Sequence, residues 1–323
     1  MSRGGSRRES FPWGQVRPDR RASKFRDALD ADADAPEVWA LVRYHLLTWG
    51  RAGERTSEHT LRAYHAGVRT FLRFIATEAG ARRSRALLIA KPPADLGVRY
   101  LRSLERAGLS PATVNHRRAA ARALYRALRW ANVTTADPFL DAPAARDPTD
   151  RADKRTPYTD EDVRQLRLRI ADEGGDPALE AMVLLGAHGA LRIAEAAALA
   201  WEDVDAAFQS IRVRGKGGKT AAVALTRPLR DALLRLETAS RARVLPYPSA
   251  ASIRYHLRRL CARAGVPYRG YHALRHYAGT RLYQQTGDLH ITAAHLRHSS
   301  INTTTVYAHL GATAVRSRLS SWE

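Results

Sequence analysis

Apolar residues return at helical spacing through most of this chain. Trp39, Val42, Leu46 and Trp49 recur at intervals of three, four and three, which predicts one buried helical stripe. Leu61, Tyr64, Val68, Phe71 and Ile75 repeat the period after Ser57. Leu96, Tyr100, Leu101 and Leu104 do so again after Pro92 and Pro93. Ser110-Pro111, a capping residue followed by proline at the first helical position, opens PATVNHRRAAARALYRALRW. Four helices are therefore expected over residues 36–136, as a small helical domain. Residues 1–35 carry no such period. MSRGGSRRES is basic and rich in Gly and Ser, and LDADADAPE is acidic, so a disordered basic tail is expected there. Such a tail is either solvated or laid along a polyanion.

Residues 137–157, DPFLDAPAARDPTDRADKRTP, lose the apolar period and gain prolines and alternating charges, which predicts a linker. A second domain over 158–310 then opens with Thr159, whose hydroxyl caps TDEDVRQLRLRIAD with Asp162 at the capping-box position. DPALEAMVLLGAHGA is apolar all round, and such a helix must be buried. Alternation in Ser210-Ile211-Arg212-Val213, the glycine-rich tip 215–218 and the run 221–225 predict a β-hairpin. Thr226 is placed to cap the next helix, RVLP reads as a short strand, and SIRYHLRRLCARAG reads as a helix with Cys261 in the core. The fold class is thus mainly α with one small β-hairpin, in two domains. In the tail, 311–323, Val315, Leu319 and Trp322 share a helical face that packs on its own domain or docks on a neighbouring copy.

Composition narrows the partner. The formal net charge is +21, with 30 basic and 17 acidic residues before Pro157 and 23 and 15 from there on. Both domains are basic, so a polyanion gripped by both is the natural partner, with the linker tethering a clamp. Asn115, Arg117, Arg118 and Arg122 are expected on the outward face of the fourth helix. There they either reach DNA phosphates and base edges or form a solvated basic face. No apolar run approaches the roughly 18 residues that a membrane span requires. The single cysteine excludes an internal disulfide framework and fits a reducing cytoplasm.

Candidate chemistry concentrates between Tyr271 and Leu310. His272 and Arg275, three apart, fall on one side of a helix. His298 precedes Ser299 and Ser300, which are placed to cap a short helix starting near Asn302 and carrying Tyr307. An arginine forks two phosphate oxygens, imidazoles share protons, and a tyrosine oxygen serves as a covalent nucleophile. Taken one at a time, such residues are more often solvated faces or core. Upstream, Arg192 ends an apolar segment with Glu195 three residues on, a spacing that lets the carboxylate hold the guanidinium. Lys216 and Lys219 flank the hairpin tip. Lysine differs from arginine in that its pKa falls far enough to deliver a proton.

Order and spacing together resemble the C-terminal signature of the tyrosine recombinases, the phage-integrase and Xer-type family. The matching elements are His272-Ala-Leu-Arg275, Leu296-Arg297-His298-Ser299-Ser300, Thr304-Thr305-Val306-Tyr307-Ala308-His309 and Leu191-Arg192-Ile193-Ala194-Glu195. Arg297 stands where the family usually has Gly. The resemblance implies that Tyr307 attacks a DNA phosphate to give a 3′-phosphotyrosyl link and a free 5′-hydroxyl. Arg192, Arg275 and His298 would stabilise the phosphorane, Lys216 would protonate the leaving oxygen and His272 would assist the proton leaving Tyr307. Lys219 would contact the DNA backbone. No metal, ATP or other cofactor is implied. The implied partners are duplex DNA with inverted half-sites, a tetramer of this chain and an accessory or activating protein, acting in the cytoplasm at the nucleoid. Two alternatives are a type IB topoisomerase-like DNA relaxation and a non-catalytic DNA-binding architectural or regulatory factor.

Overall fold

The structure, a computed structural model, describes residues 13–31, 36–79, 89, 91–147, 156–205, 207–214, 220–237, 242–298 and 304. The chain divides into two compact units, Met1–Pro148 and Thr149–Glu323, each with its own apolar core. Among the described residues both are mainly helical, and one two-stranded sheet lies in the second. Among the described residues, no helix is long and apolar enough to cross a membrane.

In the first unit the expected four helices appear as α2 (Pro36–Trp49), α3 (Glu58–Ala79), α4 (Leu96–Arg106) and α5 (Pro111–Trp130), preceded by α1 (Pro18–Ala31). The Ser110 hydroxyl accepts the Thr113 N–H, and Pro111 occupies the first turn, a cap of a kind worth about 1 kcal/mol. Helix α5 is central, and Val114, Leu124, Tyr125 and Leu128 are fully buried. It meets α3 where Gly67 has no side chain, since a Cβ there would lie 2.4 Å from that of Ala120. Phe71 on α3 packs edge-on against Tyr100, Tyr125 and Phe139.

Several expectations for this unit change. Residues 13–31 are not a disordered tail: Trp13, Val16 and Phe25 are buried, and the Arg21 guanidinium sits 3.9 Å above the Trp130 ring. Pro18 and Asp19 start α1 well, but its apolar residues are too sparse to show a period, so packing holds it rather than periodicity. The stripe of α2 is rotated, with Val38, Leu41 and Val42 buried while Trp49 is exposed. The linker also begins later than Asp137. Phe139 and Ala142 are buried, and Gly97 admits the Pro138 backbone, whose carbonyl oxygen would lie 2.0 Å from a Cβ.

The second unit comprises α6 (Asp160–Asp172), α7 (Pro177–Ala187), α8 (Ile193–Ala198), β1 (Ser210–Arg214), β2 (Thr220–Ala224), α9 (Arg227–Leu236), α10 (Ala250–Arg263), α11 (Tyr271–Thr286) and α12 (Leu289–His295). The capping box at Thr159 and Asp162 is present, and α7 is the buried centre. Arg214 pairs with Thr220, which bounds the hairpin tip, and Ile211, Val213 and Val223 face the core. Tyr158 is buried, its oxygen accepting the Arg269 N–H and lying 3.5 Å from the Cys261 sulfur. RVLP forms only a single bridge, from Arg243 to Ala200, instead of a strand. The Thr226 hydroxyl makes no cap bond but pairs with His188 Nδ1 at 2.8 Å.

Candidate active site

Helix α11 approaches α7 closely because Gly186 lacks a Cβ. One built there would lie 2.9 Å from Leu274 Cβ and 3.2 Å from Tyr271 Cζ. This contact brings the first turn of α11 over the loop that joins α7 to α8. His272 stays exposed, its ring edge-on to His276, while Arg275 is buried at 1% exposure. The Arg275 guanidinium donates to the carbonyl oxygens of Ala190, at 2.6 Å, and Leu296. A buried guanidinium so held has a fixed orientation.

Arg192 is the N-cap residue of α8, and Glu195 sits at its third position. The carboxylate accepts the Arg192 backbone N–H at 2.8 Å and one guanidinium nitrogen at 2.7 Å, so it caps the helix and aims the side chain together. Glu195 is 7% exposed in its side chain, against 43% for Arg192. Burial alone would push its carboxyl up. The Arg192 backbone and side-chain bonds, with the charges of Arg297 and Arg192, outweigh burial and hold it below the ordinary carboxylate range. The expected Arg192–Glu195 contact is present.

Arg297 completes this cluster. Its guanidinium donates to Glu195 Oε2 at 3.0 Å, to Ala190 O at 2.8 Å, and to the carbonyls of His295 and Gly189. The backbone there has φ +53°, a left-handed conformation costing a residue with a Cβ roughly 1–3 kcal/mol, which explains why glycine suits this turn. The next residue, His298, places Nδ1 2.9 Å from the hydroxyl of buried Thr304. Burial pushes its pKa down to about 4, helped by the charges of Arg275, Arg192, His272 and Arg297. His298 is therefore neutral near pH 7 in the free protein. His188, also pushed down to about 4 by burial and then by Arg281, Arg167 and His295, lies behind the site, its carbonyl 2.9 Å from His295 Nε2.

Three separate segments thus bring Arg192, Arg275, His298 and, at the exposed rim, His272 into one neighbourhood. Lys216, Lys219 and Tyr307 lie outside the described residues, as do the cap at Ser299 and Ser300 and the tail 311–323. The four residues expected on the outward face of α5 are all half-buried instead. Asn115 exchanges two hydrogen bonds with the Ala145 backbone, at 2.8 and 2.9 Å, and Arg118 donates to Ala142 O at 2.6 Å. The segment folded back from Asp137 thus takes up Asn115 and Arg118, which no spacing rule within α5 reveals. Arg297 is not among the candidates that spacing picks out, and the signal for it in the sequence is an arginine at a glycine position.

Residues 159–313 match the Phage integrase family, and residues 52–132 match the phage integrase N-terminal SAM-like domain. The tyrosine recombinase XerC of Mycobacterium leprae (strain TN) is 30% identical over 285 residues, spanning 80% of this chain and 91% of that protein. XerC of Rhizobium meliloti (strain 1021) is 30% identical over 288 residues, spanning 84% and 89%. The chain belongs to the phage integrase family of tyrosine recombinases. Its fold is similar to that of XerH bound to a palindromic difH substrate in a post-cleavage complex, with TM-score 0.66, 18% identity and 95% and 90% of the two chains covered. A λ integrase dimer bound to a COC′ core site aligns with TM-score 0.63 and 16% identity, over 83% and 93%. The class is that of site-specific recombinases, and neither the topoisomerase nor the architectural alternative is favoured.

Proposed function

We propose that this chain cuts and rejoins duplex DNA at a specific site through a 3′-phosphotyrosyl intermediate, without metal or ATP. The observation that carries this reading is the cluster around Glu195. One buried carboxylate orients Arg192 and neighbours Arg275, while His298 stands neutral within reach of both charges. Such preorganised donors suit a phosphorus centre on which negative charge develops.

The Tyr307 oxygen attacks the scissile phosphorus, the bond from phosphorus to O5′ breaks, and the phenolic proton passes toward His272. Lys216 gives a proton to the leaving O5′. Arg192 and Arg275 take up charge on the non-bridging oxygens, and neutral His298 adds a hydrogen bond. A 5′-hydroxyl from a partner strand reverses the steps, so the energy of the phosphodiester is retained and no nucleotide is consumed. Residues 36–136 act as a helical core-binding domain and 158–310 as the catalytic domain, both gripping the same duplex. The DNA carries inverted half-sites, four copies assemble on it at the nucleoid, and an accessory protein activates them. Lys219 and the half-buried Arg117 and Arg122 contact the backbone.

Covalent trapping tests this. On a suicide duplex nicked beside the scissile phosphate, the full chain should accumulate an adduct that survives detergent, and Tyr307→Phe should bind DNA equally but form none. The rival tyrosines have structural partners: buried Tyr271 donates to Met182 O at 3.1 Å, and Tyr277 donates to Asp160 Oδ1 at 2.7 Å. A DNA-linked peptide containing Tyr283 without Tyr307 would overturn the assignment. Absence of any adduct on site-bearing DNA would point to a non-enzymatic binding factor.

A further inference from the structure

We propose that Arg297 is a positioning residue that ties the loop carrying His298 to the loop carrying Arg192, and that it sets the geometry of the phosphate site. The proposal rests on the recombinase reading above. Arg297 and Arg275 share the Ala190 carbonyl, and Ala190 itself has φ +51° in the turn leading to Arg192. The Arg297 guanidinium also reaches Gly189 O on that turn and His295 O on its own, so one side chain spans both loops.

The second half of the argument is charge. Glu195 has three guanidiniums within 4.0 Å: Arg192 at 2.7, Arg297 at 3.0 and Arg275 at 4.0 Å. Oε2 is occupied by Arg297 and by the Arg192 backbone N–H, which leaves Oε1 for the Arg192 side chain. With glycine at this position, Oε2 would lose its nearest cation and the carboxylate would turn further onto Arg192, competing with a phosphate for that guanidinium. The left-handed backbone at this residue favours glycine, so an arginine persists here against strain, offset by its bonds to four separate residues.

The test is single-turnover cleavage of the nicked suicide duplex by the full chain, with DNA affinity measured separately. R297G relieves the backbone strain yet removes the tie. Cleavage should slow by roughly ten- to a hundredfold while affinity changes less than about twofold, the signature of displaced reacting groups. In R297A, guanidinium chloride at tens of millimolar should restore part of the rate relative to sodium chloride of equal ionic strength, and should not speed the wild type. A residue that merely stabilised the fold would not respond in this way. If R297G does not fold, R297K carries the question: it keeps the charge without the planar fork, and it must cleave more slowly with binding retained. Wild-type cleavage rates in R297G or R297K, or no guanidinium rescue, would overturn the proposal. A wild type that forms no adduct would overturn the recombinase reading instead.

Discussion

Arg275 and Arg297, one from a helix and one from a turn, donate to the same acceptor, the Ala190 carbonyl oxygen, at 2.6 and 2.8 Å. Two like charges meet there because Glu195 lies between them and Arg192 and shares its two oxygens among the three. The site is thus assembled on one carboxylate and one carbonyl. Removing Glu195 should therefore be worse than removing a single partner. Glu195→Gln keeps the shape but removes the carboxylate charge that the guanidiniums share, and cleavage should fall by at least about tenfold, with a loss of stability near 3–5 kcal/mol at the upper end for a broken buried pair. Single-turnover rates and denaturant melts measure both.

The two hairpin lysines separate by leaving-group chemistry. Lys216→Arg keeps charge but does not readily surrender a proton, so cleavage should slow far more than binding. A duplex with sulfur at the 5′-bridging position needs no protonation and should recover the rate. The same pattern in Lys219→Arg and not in Lys216→Arg would move the acid to the other lysine.

Gly186 is a packing requirement with a catalytic consequence. Gly186→Val places carbon against Leu274 and Tyr271, where even a Cβ is at 2.9 Å. Overpacking of this kind costs about 1–3 kcal/mol. Helix α11 should be pushed outward with Arg275 on it, lowering both the melting temperature and the cleavage rate. Leu274→Ala in the same chain should return part of each, and an unchanged melting temperature in Gly186→Val would contradict the close packing.

Acid sensitivity should set in early. His188 and His298 are both pushed down to about 4, and His45 and His295 are lowered as well, in each case chiefly by burial. Their folded pKa values lie below the unfolded value near 6.5, so the unfolded chain binds more protons as pH falls. Their contribution to stability is complete above about pH 6.5 and is lost as the pH drops toward 4. Denaturant midpoints should decline between pH 6.5 and 5, before most carboxylates titrate, and His188→Gln should flatten that decline. A midpoint constant over this interval would rule the mechanism out.

DNA binding should be strongly salt-dependent, with a log–log slope of about −0.9 per phosphate neutralised. Because Asn115 is committed to the Ala145 backbone, Asn115→Ala should lower thermal stability and leave that slope unchanged. A variant of native stability with weakened, sequence-dependent binding would restore Asn115 to a base-reading role.

Local rules carried much of this chain. The periods at Leu61 to Ile75 and Leu96 to Leu104, the caps at Ser110 and Thr159, the apolar helix of Met182 and the hairpin at Ile211 depend on near neighbours, and the structure has all of them. The pairing of Arg192 with Glu195 is equally local, since three residues span one helical turn. What tertiary structure alone decided involves residues far apart along the chain. Trp13 and Phe25 form structure only because a distant core accepts them, and Asn115 and Arg118 turn inward only because residues 137–147 fold back over α5. Arg297 reads as an unwelcome side chain in a glycine turn until Glu195, more than a hundred residues earlier, is brought within 3.0 Å of it. Burial, counterions and shared acceptors are set by which surfaces meet in space, and a period along one helix does not record them.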